Sequence, residues 1–328
     1  MKVLVTGGAG YIGSHLVDNF ISRGDSVSVI DNLFTGSERN IAHLAGNNNF
    51  IFIEGTILNR PLMEELVAGH DLVCHLAAVV GVKHVLDDPV RTILDNALGT
   101  EIVLTACHNA RRRVLFSSTS EIYGKNPKLP FSEDDDSLFG STRVPRWSYA
   151  VAKSLGEHLS FAYHARGLPV TVVRYVNSYG PRLDPRGYGS VVANFISQAL
   201  SGKPLTIHGD GKQTRCFTFV YDTVGGTVMA ATREEAVGHV FNIGSSVSSS
   251  ILELAGMILD LTGSDSPVRF VSYPEVYGRT FEDMTRELDP SKAEKILGFR
   301  AKTSLKEGLQ QTIEWFRERL GKGREERL

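Results

Sequence analysis

The chain has few cysteines and no cysteine cluster: Cys74, Cys107 and Cys216 stand singly among 328 residues, with no CxxC pair and no Cys/His ligand spacing. That excludes a disulfide framework and a zinc site of the spaced-ligand kind, and it fits a reducing cytoplasm; no metal is expected. An excess of one charge sign is also missing, since 35 Lys and Arg stand against 37 Asp and Glu for a formal net charge of -2, so there is no electrostatic case for nucleic acid. The single basic run, Arg111-Arg112-Arg113, reads as a helix C-terminus ahead of a strand at Val114. No apolar run reaches spanning length, and the chain opens directly on Val3-Leu4-Val5 without the basic and apolar regions of an export signal. The expectation is a cytoplasmic protein with no membrane partner. Internal repeats are absent as well.

What is present is apolar periodicity and glycine. With 42% hydrophobic residues and 32 glycines, the chain can bury a large core as one α/β domain or as two unequal lobes. Strand-like runs at Lys2–Thr6, Ser26–Asp31, Phe50–Glu54, Leu72–Leu76, Val114–Ser118 and Val170–Tyr175 alternate with helical patterns at Ile12–Arg23, Leu62–Ala68, Pro89–Asn109 and Tyr149–Arg166. Such alternation implies a parallel sheet covered by helices on both faces, a Rossmann-type doubly wound α/β fold whose ligands sit beyond the carboxyl ends of the strands. After Tyr175 the pattern loosens, with Gly180-Pro181 and Pro185-Arg186-Gly187-Tyr188-Gly189, and helical signals return at Val191–Ser201, Thr223–Ala231, Ser249–Thr262 and Leu305–Leu320. The expected division is a dinucleotide-binding domain over 1–175, with a segment near 217–245 returning to its sheet at Val240–Ile243, and a smaller C-terminal α/β lobe over 176–328. The charged tail from Gly321 to Arg327 reads as frayed.

Chemistry gathers at the strand ends. Thr6-Gly7-Gly8-Ala9-Gly10-Tyr11-Ile12-Gly13 follows the first strand and opens a helix, the context a dinucleotide fingerprint needs. Gly7 permits the tight turn, Gly10 the approach of a pyrophosphate, and Gly13 close helix packing, with the helix N-terminus facing the phosphates. The second strand ends in Asp31-Asn32, placed to accept hydrogen bonds from a ribose; the carboxylate repels a 2'-phosphate, which selects NAD over NADP. His75-Leu76-Ala77-Ala78 offers small side chains against a flat ring, and Ser117-Ser118-Thr119-Ser120-Glu121-Ile122-Tyr123-Gly124 offers Thr119 to a substrate oxygen. Tyr149 and Lys153 lie four residues apart on one helical face, where an ammonium charge favours a phenolate and lets tyrosine act as a base.

These motifs, in order, resemble the extended short-chain dehydrogenases/reductases that modify nucleotide sugars: TGGAGYIG, DN, HLAA, STSEIYG, YAVAK, RYVNSYGPR and GDGKQTRCFTFV. The resemblance covers nearly the whole chain. It implies that Tyr149 takes the proton of a sugar 4-hydroxyl while hydride passes from C4 to NAD, and that Lys153 binds the nicotinamide ribose. It implies further cofactor contacts from Tyr11, Ile12, Thr56, Leu76, Ala77, Ala78, Asn96 and Ser117. For a UDP-sugar substrate it implies Thr119, Ser120, Asn177, Arg182, Tyr188, Asn194, Thr206, His208 and Arg215. Arg215 suits a diphosphate because its fork grips two oxygens under a permanent charge. A homodimer formed through the helices around Pro89–Asn109 and Tyr149–Arg166 is implied too.

Within that family the chain is most similar to UDP-glucuronate decarboxylases, through Pro145-Arg146-Trp147-Ser148-Tyr149, Gly180-Pro181-Arg182-Leu183-Asp184, Lys212-Gln213-Thr214-Arg215-Cys216-Phe217-Thr218 and Tyr277-Gly278-Arg279-Thr280-Phe281-Glu282-Asp283. Their Thr/Ser-Ser-Glu element and late arginine align with Thr119-Ser120-Glu121 and Arg286. Arg286 would then orient a carboxylate for loss as carbon dioxide, and Glu121 would serve proton traffic near C5, giving a UDP-4-keto-pentose or UDP-xylose. A UDP-glucuronate or UDP-glucose 4-epimerase uses the same Tyr149, Lys153 and Thr119, and is the alternative. A catalytically inactive NAD-binding regulatory protein is the remaining reading, and the loss of any of those three residues would have favoured it. Two departures from the family pattern stand out. Glu54-Gly55-Thr56 replaces a frequent Asp near the adenine, and Asp184 stands near where some uronate epimerases place a carboxylate-binding arginine.

Overall fold

A computed structural model describes residues 1–184, 190–277 and 285–325. Its centre is a seven-stranded parallel sheet of β1 (Lys2–Thr6), β2 (Ser26–Asp31), β3 (Phe50–Glu54), β4 (Leu72–His75), β5 (Arg113–Thr119), β6 (Val170–Tyr175) and the late strand Val240–Ile243. The order across the sheet is Val240–Ile243, β6, β5, β4, β1, β2, β3. It reverses direction of growth between β1 and β4, where Val3 faces Leu72 and Thr6 faces His75. A ligand crevice opens at that point in such sheets.

Strict alternation along the strands feeds two hydrophobic layers. Val3, Val5, Val27 and Val29 pack on one face with Leu16, Val17 and Phe20 of α1 (Tyr11–Ser22). Leu4, Ile30 and Val73 pack on the other with Met63 and Val67 of α2 (Arg60–Ala68) and with Ile102, Val103, Ala106 and Cys107 further along the chain. After α3 (Val82–Asp87), the long α4 (Pro89–Ala110) starts with the Asp88 carboxylate accepting from the Arg91 amide at 3.0 Å and with Pro89 at its first position. It stops at Arg111, which turns left-handed with φ 53°, so the basic run is the expected helix end. Helix α5 (Trp147–His164) begins two residues earlier than the periodicity of Tyr149 suggests.

The late strand is held by pairing of Val240 with Val172 and of Ile243 with Tyr175, which brings the chain back onto the sheet after it has left to build the second lobe. That lobe rests on α6 (Val191–Leu200), α8 (Ile251–Thr262) and the terminal helix Leu305–Glu325, whose Phe195, Ile196, Leu254, Ile258, Leu309, Ile313 and Phe316 form one apolar cluster. Between α6 and α8 lies α7 (Val220–Thr232), which packs Val220, Val224 and Val228 back into the core of the first lobe. Short strands such as Leu205–His208, paired with Val268–Val271, carry too little periodicity to be read from sequence.

Candidate active site

A cleft of about 300 Å³ opens beyond the strand ends. Gly7, Gly10, Tyr11, Ile12, Gly13, Asp31, Asn32, Thr56, Leu76, Ala77, Ala78, Ser117, Tyr149 and Lys153 all line it. Its floor has the shape a dinucleotide needs. Gly7 sits at φ +73°, and a Cβ on Gly13 would stand 2.2 Å from the Gly7 carbonyl oxygen. Helix α1 has no side-chain cap, so its first amides are left to face the cleft. Asp31 is fixed at the far end: Oδ2 accepts from the Ala9 amide at 3.0 Å and Oδ1 from the Leu33 amide at 2.8 Å. Burial raises its pKa, and those two amides oppose the rise. Lone pairs remain on both oxygens for ribose hydroxyls. Thr56 turns its hydroxyl toward the Leu58 amide at 3.2 Å while still facing the cleft.

Asn96, expected among the cofactor ligands, is placed differently. Its amide donates to the Val79 carbonyl at 3.0 Å and accepts from the Val79 amide at 2.8 Å. It therefore shapes the cleft by fixing Val79, which lies on the wall, while Asn96 itself does not. The wall also contains Phe34 and Thr35, which nothing in their local pattern marks, and Ser118 and Tyr175, which lie within the STSEIYG and RYVNSYGPR motifs without an expected cofactor role.

At the inner end, Lys153 Nζ donates to the Ser117 carbonyl at 2.8 Å, buried above the Phe116 ring. Burial lowers its pKa to about 7, with Glu157, one turn further along α5, pulling the other way. Tyr149 shares a hydrogen bond with Thr119, and its pKa is raised first by burial and then by the Glu121 charge, the Thr119 bond opposing both. Burial thus outweighs the other influences on the Tyr149 phenol, and the Lys153 ammonium expected to favour the phenolate donates to the Ser117 carbonyl.

Glu121 lies on the short 3-10 turn Ser120–Tyr123, which Thr119 caps by accepting from the Glu121 amide at 3.2 Å. Its Oε1 accepts from Arg286 at 2.9 Å, and its Oε2 accepts from Arg286 at 3.1 Å and from Arg146 at 2.7 Å. Although burial works in the other direction, the charges of Arg286, Arg146 and then Arg215 bring its pKa down to about 2. Arg215 comes to this cluster through a backbone bridge with Arg286, and its own Nη1 donates to the Thr214 carbonyl at 2.8 Å. Arg146, which sequence reading quoted without assigning a role, is the second arginine of this cluster. Its spacing of three from Tyr149 at the head of one helix is the signal that would have marked it.

The turn is held from behind by a buried network. Arg174 of β6 donates to both Glu157 oxygens at 3.0 and 2.7 Å, and to the Tyr123 hydroxyl at 2.9 Å; Tyr123 in turn donates to Asn242 at 2.7 Å.

The remaining expected substrate residues are spread over the second lobe. Asn177 donates to the Cys216 carbonyl at 3.2 Å in a strained backbone of φ 29°. Asn194 lies in the first turn of α6, and Ser120 is buried on the Glu121 turn. Thr206 and His208 lie on one short strand; the Gln198 amide donates to the Thr206 hydroxyl at 3.3 Å, and Gln213 donates to the His208 carbonyl at 3.1 Å. Arg182 goes elsewhere than expected: with φ 67°, it donates to Asp18 of α1 at 2.7 Å and ties the lobes together. Tyr188 and most of the segment from Tyr277 to Asp283 lie outside the described residues. Among the described residues no group of His, Cys, Asp or Glu is placed to hold a metal, and no helix is long and apolar enough to cross a membrane.

Residues 4–312 match the family model described as GDP-mannose 4,6 dehydratase. A UDP-N-acetyl-alpha-D-glucosaminuronate decarboxylase of Bacillus cytotoxicus is 45% identical, over 97% of this chain and 98% of its own. UDP-glucuronic acid decarboxylase 1 of Xenopus tropicalis is 36% identical, over 97% of this chain and 73% of its own. Among solved structures, the Thermus thermophilus UDP-glucose 4-epimerase in complex with NAD superimposes with a TM-score of 0.84 at 31% identity, covering 97% of this chain and 99% of that one.

Proposed function

The chain belongs to the GDP-mannose 4,6-dehydratase family of extended short-chain dehydrogenases/reductases, and from that premise we propose that it is an NAD-dependent decarboxylase of a UDP-linked hexuronate. The observation that carries this reading is the arginine cluster beside Tyr149. Arg146 and Arg286 converge on the Glu121 carboxylate at 2.7 to 3.1 Å, and Thr119 links the Glu121 turn to the Tyr149 hydroxyl. Cations in that position suit a sugar that carries a carboxylate next to its reacting carbon, and a neutral hexose has no use for them.

NAD, when bound in the cleft lined by Gly7, Gly10, Asp31 and Lys153, would supply the acceptor for the C4 hydride. Tyr149 takes the 4-hydroxyl proton, with Thr119 holding the oxygen in line, and Lys153, positioned by the Ser117 carbonyl, would hold the nicotinamide ribose. The resulting β-keto acid loses its C5–carboxylate bond pair into the C4 carbonyl, releasing carbon dioxide and leaving a C4 enolate that takes a proton at C5 from solvent to give the 4-keto-pentose; return of the hydride to C4 and of the Tyr149 proton to the C4 oxygen would give the UDP-pentose. Arg286 orients the departing group. Glu121, kept as a carboxylate by the charges of Arg286 and Arg146, accepts hydrogen bonds in this arrangement. Asn177, Asn194, Thr206, His208 and Arg215 would hold the nucleotide half.

The bacillar relative, a decarboxylase of UDP-N-acetyl-alpha-D-glucosaminuronate, favours a second reading in which the sugar carries 2-acetamido in place of 2-hydroxyl. Incubation with UDP-glucuronate and with UDP-N-acetylglucosaminuronate, followed by NMR of the products and assay of carbon dioxide, tests both. A UDP-pentose or 4-keto-pentose with gas is expected; UDP-galacturonate without gas would make the protein a 4-epimerase instead.

The division into a dinucleotide-binding domain and a UDP-sugar lobe is part of this reading, as is a cytoplasmic location, which the three free buried cysteines suit. So is a homodimer. Val90, Leu94 and Leu98 of α4 and Val151 and Leu155 of α5 repeat every four residues and are 45 to 65% exposed. Side by side they form an apolar face that a second copy of the same face would cover.

A further inference from the structure

Glu121 occupies Arg286 as a substrate carboxylate would. Its two oxygens take two guanidinium nitrogens of Arg286, at 2.9 and 3.1 Å, which is the planar edge that recognises a carboxylate in bidentate fashion. A uronate entering beside Tyr149 must take over that edge, and Glu121 must then be satisfied elsewhere, because a desolvated carboxylate without a partner is costly.

Arg146 is built to meet that need. It forms the shortest contact in the cluster, 2.7 Å to Oε2, and its side chain is only 7% exposed. Its guanidinium stacks on Trp147 at 4.9 Å, and its backbone is the N-cap of α5, already helical at φ -49° and ψ -34°. Arg146, Tyr149 and Lys153 follow one another at i, i+3 and i+7, so they share a helical face. The Glu121 backbone is pinned separately by Thr119. Glu121 can therefore keep its place while Arg286 changes partner.

Building on the uronate reading above, we propose that Arg146 is a positioning residue: it retains Glu121 so that Arg286 is released to the carboxylate of the substrate. Without Arg146, Glu121 has Arg286 as its remaining close partner in the clamp and competes with the incoming uronate.

The test is calorimetric binding of UDP-glucuronate and of UDP-glucose to NAD-loaded protein, in a Tyr149→Phe background that prevents turnover. With Arg146 intact, UDP-glucuronate should bind better than UDP-glucose. Arg146→Gln should weaken UDP-glucuronate by about tenfold or more, the size of one charge-assisted contact, and leave UDP-glucose unchanged. Adding Glu121→Gln to Arg146→Gln removes the competitor and should restore most of the loss. UDP-glucose binding by the same sample reports whether the variant is folded, and Arg146→Lys, which keeps the charge, should lie between native and Gln. If the protein with Arg146 intact has no preference for the uronate, the decarboxylase reading fails and this assignment with it. If that preference exists and survives Arg146→Gln, or if both ligands weaken together with no rescue by Glu121→Gln, Arg146 has no such role and only this inference is overturned.

Discussion

Replacing Arg174 with methionine strands a buried carboxylate, and the size of the effect follows from the geometry. Arg174 and Glu157 are each 8% exposed at the side chain and share two hydrogen bonds, at 3.0 and 2.7 Å. The same guanidinium also donates to the Tyr123 hydroxyl and to the Glu133 carbonyl, both at 2.9 Å. Breaking such a pair from one side costs about 3–5 kcal/mol, because the remaining charge has neither water nor partner. At ~2.1 cal/mol/K per residue, a chain of this length unfolds with an entropy near 0.7 kcal/mol/K, so the midpoint should fall by about 4–7 °C if unfolding is two-state. Thermal and urea denaturation followed by circular dichroism, with NAD present throughout, measure this. Adding Glu157→Leu removes the stranded charge and should recover most of the loss. The freed Glu157 should also draw the Lys153 pKa upward from about 7 in the single variant, moving the pH dependence of turnover the same way. A single variant within about 1 kcal/mol of native, or a double variant as unstable as the single, would show that the pair does not bear the proposed load.

Tyr149→Phe should lower turnover by about 10²–10⁴-fold while NAD remains bound, and unchanged turnover would remove Tyr149 from the role of base. Gly13→Ala puts a Cβ 2.2 Å from the Gly7 carbonyl oxygen, so the variant should lose NAD in a dialysis or fluorescence titration, and native affinity would refute the fingerprint reading. His15 and His75 are held neutral by burial, with pKa values lowered from 6.5 to about 4 and about 3. Their contribution to stability is complete above pH 6.5 and is lost as the pH falls through 4 and 3, so urea midpoints should decline below pH 6.5. Both His15→Asn and His75→Asn should flatten that decline. Leu94→Glu places a charge on the exposed α4 face and should convert a dimer to monomers in sedimentation or light scattering; a native protein already monomeric would dispose of the dimer.

The fold was legible where its causes are local. Short apolar runs at Lys2–Thr6, Ser26–Asp31 and Val170–Tyr175 mark strands at the bounds seen in the structure, and the Gly7-to-Gly13 turn announces a dinucleotide floor because glycine sterics act over a few residues. The family was legible for the same reason, as a series of short motifs in order. The short strands of the second lobe were not, since four residues carry too little pattern. Asn96 and Arg182 show the limit for single residues: each has suitable chemistry for a ligand, but Val79 and Asp18 are its neighbours in space.

The sequence alone determined the cofactor floor, the Tyr149 and Lys153 spacing and the class of chemistry. Tertiary structure alone decided what surrounds Glu121. Arg286 reaches it across a separation of 165 residues and Arg146 across 25, so the three charges meet only after the sheet and second lobe have closed. Local propensity acts within a few residues, whereas the charge state of a buried carboxylate depends on whatever the completed fold brings within a few ångströms of it.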